Sequence, residues 1–344
     1  VAVAERSQTR APRLSVKIDG TVVPGAIEAR VVSTNYYSSD WFEVSFALTD
    51  AAEFNANYWL EVHRPLVDIG IATASDSTPV SLILGYADTV SIDPLRGIAS
   101  LHGRDLSALF VDSSLHRTFP NPMADEIVGL LALRHGLIPK VIPTPGLVGR
   151  GFGGSTNMTG DSYYSRTNTD WDLIVRLASE YGYDAFVDGR IFHFQPSGLS
   201  AGTPFRVSPD DVIQLRVARN IKSEVSQSRR LISWNSQLQR EVSYASSAFR
   251  GEPAGDDVAV LEPNLNHERM SGMIEQLVRN TERQSQRLQL TMPGEIALTA
   301  RSRIGLHRFG GLLDATYNIE CVDRNLSPTT GFLQRVRATK SLMA

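Results

Sequence analysis

The chain has 344 residues, 42% hydrophobic and 21% charged, long enough to bury a sizeable core and to hold two or three domains. Its 34 Lys and Arg against 37 Asp and Glu give a formal net charge of −3, which disfavours a protein that wraps a phosphate backbone, because such domains are plainly basic. One cysteine, Cys321, excludes an intrachain disulfide and a multi-cysteine metal site, and 26 Gly with 17 Pro point to many short strands.

No stretch approaches the roughly eighteen apolar residues of a membrane span. The opening VAVAERSQTRAPR lacks the hydrophobic region of a signal peptide, so a soluble chain made in a cytoplasm is expected. Residues 1–11 read as a flexible arm. From Arg13 the pattern is period two. Leu14, Val16 and Ile18 alternate with polar residues up to Gly20; Phe42, Val44, Phe46 and Leu48 form a second set, Leu60 and Val62 a third, and Leu82, Leu84 and Tyr86 a fourth. Ile98 to His102 closes the series. Short strands at this spacing predict a barrel or sandwich over 12–117.

The period then changes, and 118–218 reads as a mixed segment. Asn121 as N-cap, Pro122 at the first helical position, Asp125 and Glu126 in the first turn and Gly136 after the last mark a helix. A long Gly- and Pro-rich connection, 139–165, leads to TDWDLIVRLASEYGYDAFVDGRIFHF. Here Thr169 and Asp172 form a capping box, Trp171, Ile174, Ala178 and Tyr181 make one apolar stripe, and Gly182 is a left-handed stop. Asp188-Gly189 predicts a type I′ hairpin turn between Tyr183–Val187 and Arg190–Phe194.

Alternation returns from Phe205. Strands are expected at 213–217, 231–235, 238–244, 288–292, Ile296–Ala300, 317–322 and 332–338, with an amphipathic helix at about 264–286. Cys321 falls in strand alternation and reads as a buried, inert thiol. The fold class expected is therefore mainly β with an α+β middle segment.

Catalytic chemistry has no visible home. Asp210-Asp211 and Asp256-Asp257 sit in Pro- or Gly-containing turns, where solvated carboxylates are the ordinary outcome. His102-x-x-Asp105 lacks a third ligand, so no metal is assigned, and Gly151-Phe152-Gly153-Gly154 fits no dinucleotide or phosphate loop, so no cofactor is expected. His193 reads as a packing or surface residue of a strand. Arg216, Arg219, Lys222, Arg229 and Arg230 form a basic cluster read as a solvated or subunit-contact face ahead of a DNA contact.

Four stretches carry a resemblance: PRLSVKIDG; GYADTVSID with IASLHGRDLSALF; the helix, Gly and hairpin unit at 169–194; and LTMPGEIALTARSRI, LLDATYNIECVDRNLS and GFLQRVRAT. In this order they resemble the baseplate hub proteins of phage tails, the late control protein D type, related in fold to the hub part of type VI secretion spike proteins. The departure is at Arg324 and Asn325, where that family commonly has a histidine. The resemblance implies two tube-like β-barrel domains, at 12–117 and at 219–246 with 287–344, the latter interrupted by an inserted segment and helix at 247–286, and a mixed domain between them. It also implies a homotrimer forming a pseudo-sixfold ring that adapts a sixfold tail tube to a threefold spike within a virion baseplate, contacting other baseplate proteins, with DNA only in transit.

On that basis Trp41, Phe42, Phe152, Arg229, Arg230 and Phe309 are candidates for subunit or partner contact. Trp171, Ile174, Ala178, Tyr181, Gly182, Asp188 and Gly189 are scaffold. The competing expectations are a tail-associated peptidoglycan hydrolase, for which no extra domain is left over, and a glycan-binding module, for which aromatic clusters beyond Trp41 and Tyr36-Tyr37 are not evident.

Overall fold

The computed structural model describes residues 12–35, 37–48, 54–72, 78–113, 123–144, 169–199, 202–220, 229–235, 240–245, 258–261, 270–274 and 286–340. The first part contains β1 (Arg13–Ile18), β2 (Thr21–Val22), β3 (Ala26–Thr34), β4 (Trp41–Ala47), α1 (Ala56–Glu61), β5 (Leu66–Ala72), β6 (Val80–Asp93), β7 (Ile98–Asp105) and α2 (Ala108–Val111). The middle has α3 (Ala124–Arg134), β8 (Ile138–Val141), α4 (Asp170–Tyr181), β9 (Tyr183–Asp188) and β10 (Ile191–Pro196). The rest is β11 (Phe205–Val207), β12 (Gln214–Arg219), β13 (Arg229–Asn235), β14 (Arg240–Ala245), β15 (Val258–Leu261), β16 (Gln286–Pro293), β17 (Arg303–Leu306), β18 (Thr316–Ser327) and β19 (Gly331–Lys340). The chain is mainly β with a mixed middle, as its periodicity implies.

Among the described residues thirteen strands form one sheet, ordered β12-β16-β19-β18-β3-β4-β7-β6-β5-β1-β2, with β17 also on β18 and β11 on β17. Two cores divide it. Alternate residues of β1 and β3 to β7, among them Val16, Val31, Phe42, Phe46, Ile69 and Leu101, bury together with Trp59 of α1. Leu290, Ile304, Tyr317, Ile319 and Val336 form the second core. Ile71, Leu326 and Phe332 make a small apolar seam that draws on both parts.

The middle segment has its own sheet, β8-β10-β9, with β10 parallel to β8 and antiparallel to β9. Phe192 and Phe194 face α3 and α4, in a core with Ile127, Leu131, Trp171 and Ile174. Thr169 and Asp172 close the expected reciprocal cap, both bonds 3.1 Å, and Gly182 (φ 69°) ends the helix, its N–H donating to the Ala178 carbonyl. Leu173 and Leu177 are buried beside the predicted stripe of Trp171, Ile174 and Ala178, whereas Tyr181 is half-buried, so the apolar arc is broader than that stripe.

Several local expectations are corrected. Leu60 and Val62 are not in a strand; the Asn55 side chain accepts the Tyr58 N–H and starts α1, which buries Trp59. Leu82, Leu84 and Tyr86 do lie in a strand, but Ile83 and Ala87 face the first core, while Leu84 and Tyr86 pack on the middle segment's core. Ile296 to Ala300 is a turn, because Glu295 accepts the Ala297 N–H and Ser302 Oγ accepts the Thr299 N–H in place of ladder bonds. The hairpin loop is Gly189-Arg190, one residue later than expected, since Asp188 pairs with Ile191. Only Gly189 of the two has positive φ, the sign pattern of a type II′ turn. Helix α3 is capped at Met123, whose N–H donates to the Glu126 carboxylate at 2.9 Å; Asn121 and Pro122 lie outside the described residues.

The hydrogen bonding also cuts the chain differently from the expected boundaries. Strands β11 and β12, placed with the mixed segment, pair with β17 and β16. Strands β13 and β14 pair in a separate sheet with β15 instead of joining the large one. Of the helix expected at 264–286, residues 270–274 are described and helical; Met270 and Ile274 bury against Leu231. The arm at 1–11 lies outside the described residues.

Two glycines carry sharp predictions. Gly182→Val, a β-branched residue at a left-handed cap, is expected to lower stability by about 1–3 kcal/mol, read from the urea midpoint. Gly103→Ala places a Cβ 2.3 Å from the Tyr86 carbonyl oxygen and 2.5 Å from Phe42 Cζ, so a loss of about 1–3 kcal/mol is expected there too. An unchanged midpoint in either variant would contradict the packing described.

Candidate functional site

The Gly-Arg-Asp run at 103–105 explains itself residue by residue. Gly103 lets β7 approach β6; Arg104 binds Asp88 through two bonds, of 2.7 and 3.1 Å, and also Asp112. These partners raise the Arg104 pKa, Asp88 foremost. Asp105, at the end of β7, is buried and accepts the Ser107 hydroxyl at 2.5 Å. Its backbone N–H donates to the Asp40 carbonyl at 2.9 Å, and the Asp40 carboxylate accepts the Thr34 N–H at 2.8 Å.

Two arginines from the distant end of the chain reach the same place. Arg301 leaves the turn before β17, donates to the Thr34 carbonyl at 3.1 Å and lies 3.7 Å from the Phe186 ring centroid. Phe186 in turn stacks on His193, centroids 4.6 Å apart and planes at 4°. Arg324, in β18, is 5% exposed and donates to the Leu298 carbonyl. Asp40, Asp105, Arg301, Arg324, Phe186 and His193 line a cavity of about 450 Å³ where the first core, the middle sheet and the second core meet.

Burial dominates the protonation of this cluster. It pushes the Asp105 carboxyl well above the usual carboxylate range, and the neighbouring Asp40 charge pushes it further. Asp40 is raised by burial against the opposing pull of Arg301 and the Thr34 N–H. Desolvation lowers Arg301, and lowers Arg324 to about 10. His193 is lowered first by burial and then by Lys140. The arrangement ties three modules by charge and stacking.

A second polar cluster joins α3 to α4. His135 Nε2 lies 2.8 Å from the buried Asp170 carboxylate and 3.4 Å from Ser113 Oγ. Both partners use the same ring nitrogen, so the serine–histidine–aspartate relay, which needs both nitrogens, is not formed. Among the described residues no group of three His, Cys, Asp or Glu is placed to hold a metal.

The interface candidates scatter. Trp41 is half-buried, stacked on His102 at 5.6 Å with Arg30 5.1 Å from its ring. Phe42 is a correction: strand alternation turns it into the first core with no exposure, so it is not a surface contact. Phe309 is half-buried against the second core. Arg229 and Arg230 are in β13, and their side chains, like Phe152 and Lys222, lie outside the described residues. Arg216 and Arg219 are on β12, a strand of the large sheet, so the basic cluster divides between two sheets. Reasoning from sequence missed Asp40 and Arg301; Asp105, His193 and Arg324 were noticed without being joined. The Asp of Gly-Arg-Asp and the Arg in the position where a histidine is common were the available signals.

Comparison with known proteins places the fold. No family model matches the sequence, and no curated protein matches it. Solved structures do. A tail protein from Neisseria meningitidis MC58 superposes with a TM-score of 0.69 at 12% identity, over 96% of this chain and 97% of that one. The 43 kDa tail protein of prophage MuSo2 from Shewanella oneidensis gives 0.64 at 15% identity, over 96% and 98%. An E. coli component of the type VI secretion system gives 0.57 at 11% identity, over 95% and 77%. The chain therefore has, end to end, a fold shared by phage tail proteins and a type VI secretion component.

The raised Asp105 pKa fixes a sign. A carboxyl raised on folding adds stability that is full below its unfolded pKa and is lost as pH rises through its folded value. Asp105→Asn, which keeps the neutral shape, is expected to change stability by under about 1 kcal/mol in mild acid and to flatten the decline above it. Urea midpoints from about pH 5 to about pH 9 check this; parallel pH profiles for variant and wild type would refute it.

Proposed function

We propose that the protein is a structural, non-enzymatic component of a phage or phage-derived tail, and specifically the central baseplate hub of the late control protein D type. In this role three copies form a ring with pseudo-sixfold symmetry, two sheet-lined cores per copy. One face receives the sixfold tail tube, the other the threefold spike, with other baseplate proteins at the rim and DNA only passing through. The chain is assembled in the host cytoplasm and resides in the virion.

The observation that carries the proposal is the end-to-end fold match to two phage tail proteins, with both cores and the middle segment included. The similarity of the E. coli component, itself described as structurally similar to T4 bacteriophage tail proteins gp27 and gp5, supports a position at the tube-to-spike junction. Two separate β cores on one continuous sheet are what a three-copy ring needs to offer six similar units. The charged junction serves it by holding the modules at a fixed angle.

Light scattering on the purified protein is expected to give three times the mass of one chain, and negative-stain images a ring with a central hole. A strictly monomeric protein that binds neither tube nor spike protein, or a clear band in a peptidoglycan zymogram, would overturn the assignment.

A further inference from the structure

The cavity at the module junction has unfilled hydrogen-bonding capacity of one dominant kind. Arg301 Nε and Arg324 Nε are buried without a protein partner, and both residues line the cavity. A guanidinium Nε–H is a donor only. Two of the three lining carboxyls are engaged, Asp40 by the Thr34 N–H and the Ser33 side chain and Asp105 by the Ser107 hydroxyl, while the third, Asp188, is exposed at the end of β9. Glu295, behind Arg324, accepts the Ala297 N–H and is not part of the lining. Burial pushes the Asp105 carboxyl toward its neutral form, and the two guanidiniums of Arg301 and Arg324 face Asp40 and the exposed Asp188 across the rest of the lining.

The lining also includes the apolar residues Val80, Leu82, Ile83 and Ile296 and the Phe186–His193 stack. His193 Nδ1 is a further buried atom without a partner. A volume of about 450 Å³ lies within the range of small-molecule sites. A ligand that suits these walls has acceptor oxygens carrying negative charge at one end and a short apolar body at the other.

We propose that this junction cavity binds a small organic monocarboxylate, its carboxylate oxygens accepting from Arg301 Nε and Arg324 Nε and its body lying against Val80, Leu82, Ile83 and Ile296. Guanidinium–carboxylate hydrogen bonds are charge-assisted and among the strong ones, and partial burial strengthens them. The site is independent of the hub assignment, because every residue named comes from one copy.

The test uses the whole wild-type chain and propionate as probe, with propionamide as the neutral isostere and chloride at matched ionic strength. The Nε–H resonances of Arg301 and Arg324 are expected to move saturably with propionate and with neither control. Arg324→Lys should weaken propionate binding by about tenfold or more, the loss of one charge-assisted bond, while Arg190→Lys, on an exposed turn, should leave it unchanged. If Arg324→Lys does not fold, the wild-type comparison decides alone. Equal shifts with chloride, or none with propionate at about 100 mM, a concentration that would half-fill even a weak site of about 1.4 kcal/mol affinity, would overturn the proposal.

Discussion

Strand β18 has two neighbours on one edge. Thr316 to Asn318 pair with β17, Cys321 to Leu326 pair with β3, and β19 runs along the other edge. The switch of partner coincides with a bulge between Ile319 and Cys321, where the Glu320 carbonyl accepts the Asn35 N–H at 2.7 Å. Both cores depend on this strand, since among the described residues the β3–β18 ladder is where the large sheet passes from the first core to the second. Its register is fixed by what lies on each face. Val322 and Arg324 point inward, whereas Asp323 meets Arg30 through bonds of 2.9 and 2.8 Å on the outside. A slip of one residue would exchange Asp323 and Arg324, placing the wrong charge in the junction and leaving Arg30 facing a cation.

Most module boundaries are closed by apolar contact, and here the seam of Ile71, Leu326 and Phe332 does part of that work. Beside it stand buried arginines and carboxyls, which are costly to dehydrate and contribute little net stability over a hydrophobic replacement. What they add is direction. Arg301 must reach the Thr34 carbonyl and the Phe186 ring at once, and Arg324 the Leu298 carbonyl, so the three modules have one relative orientation that satisfies all the bonds. An apolar seam tolerates sliding; this cluster does not.

Legibility in the sequence followed the range of the forces involved. Helix α4 was readable to the residue because capping box, stripe and left-handed glycine all act within a few positions. Strands with clean alternation were readable too. Where both faces of a strand are covered, as at Leu82 to Ala87, alternation named the strand but not which face met the first core. The segment from Ile296 to Ala300 alternates like a strand and is a turn, because Glu295 and Ser302 hold its backbone locally; that misassignment hid Arg301. The junction as a whole was illegible, since Asp40, Asp105, His193, Arg301 and Arg324 are scattered along the chain and meet only after the sheet has closed.

The ladder between β3 and β18 has a consequence for synthesis. Arg30 and Asp323 are 293 residues apart, so at about 5–20 residues per second the edge of β3 waits roughly 15–60 s for its partner. Throughout that interval a nascent β3 offers open backbone donors and acceptors to any other strand. Glu28 and Arg30, both exposed on β3, put charge on that waiting edge. Charge of this kind disfavours edge-to-edge pairing of unfinished chains, so the position that ends in an ion pair with Asp323 is also one where an apolar side chain would leave the open edge more adhesive.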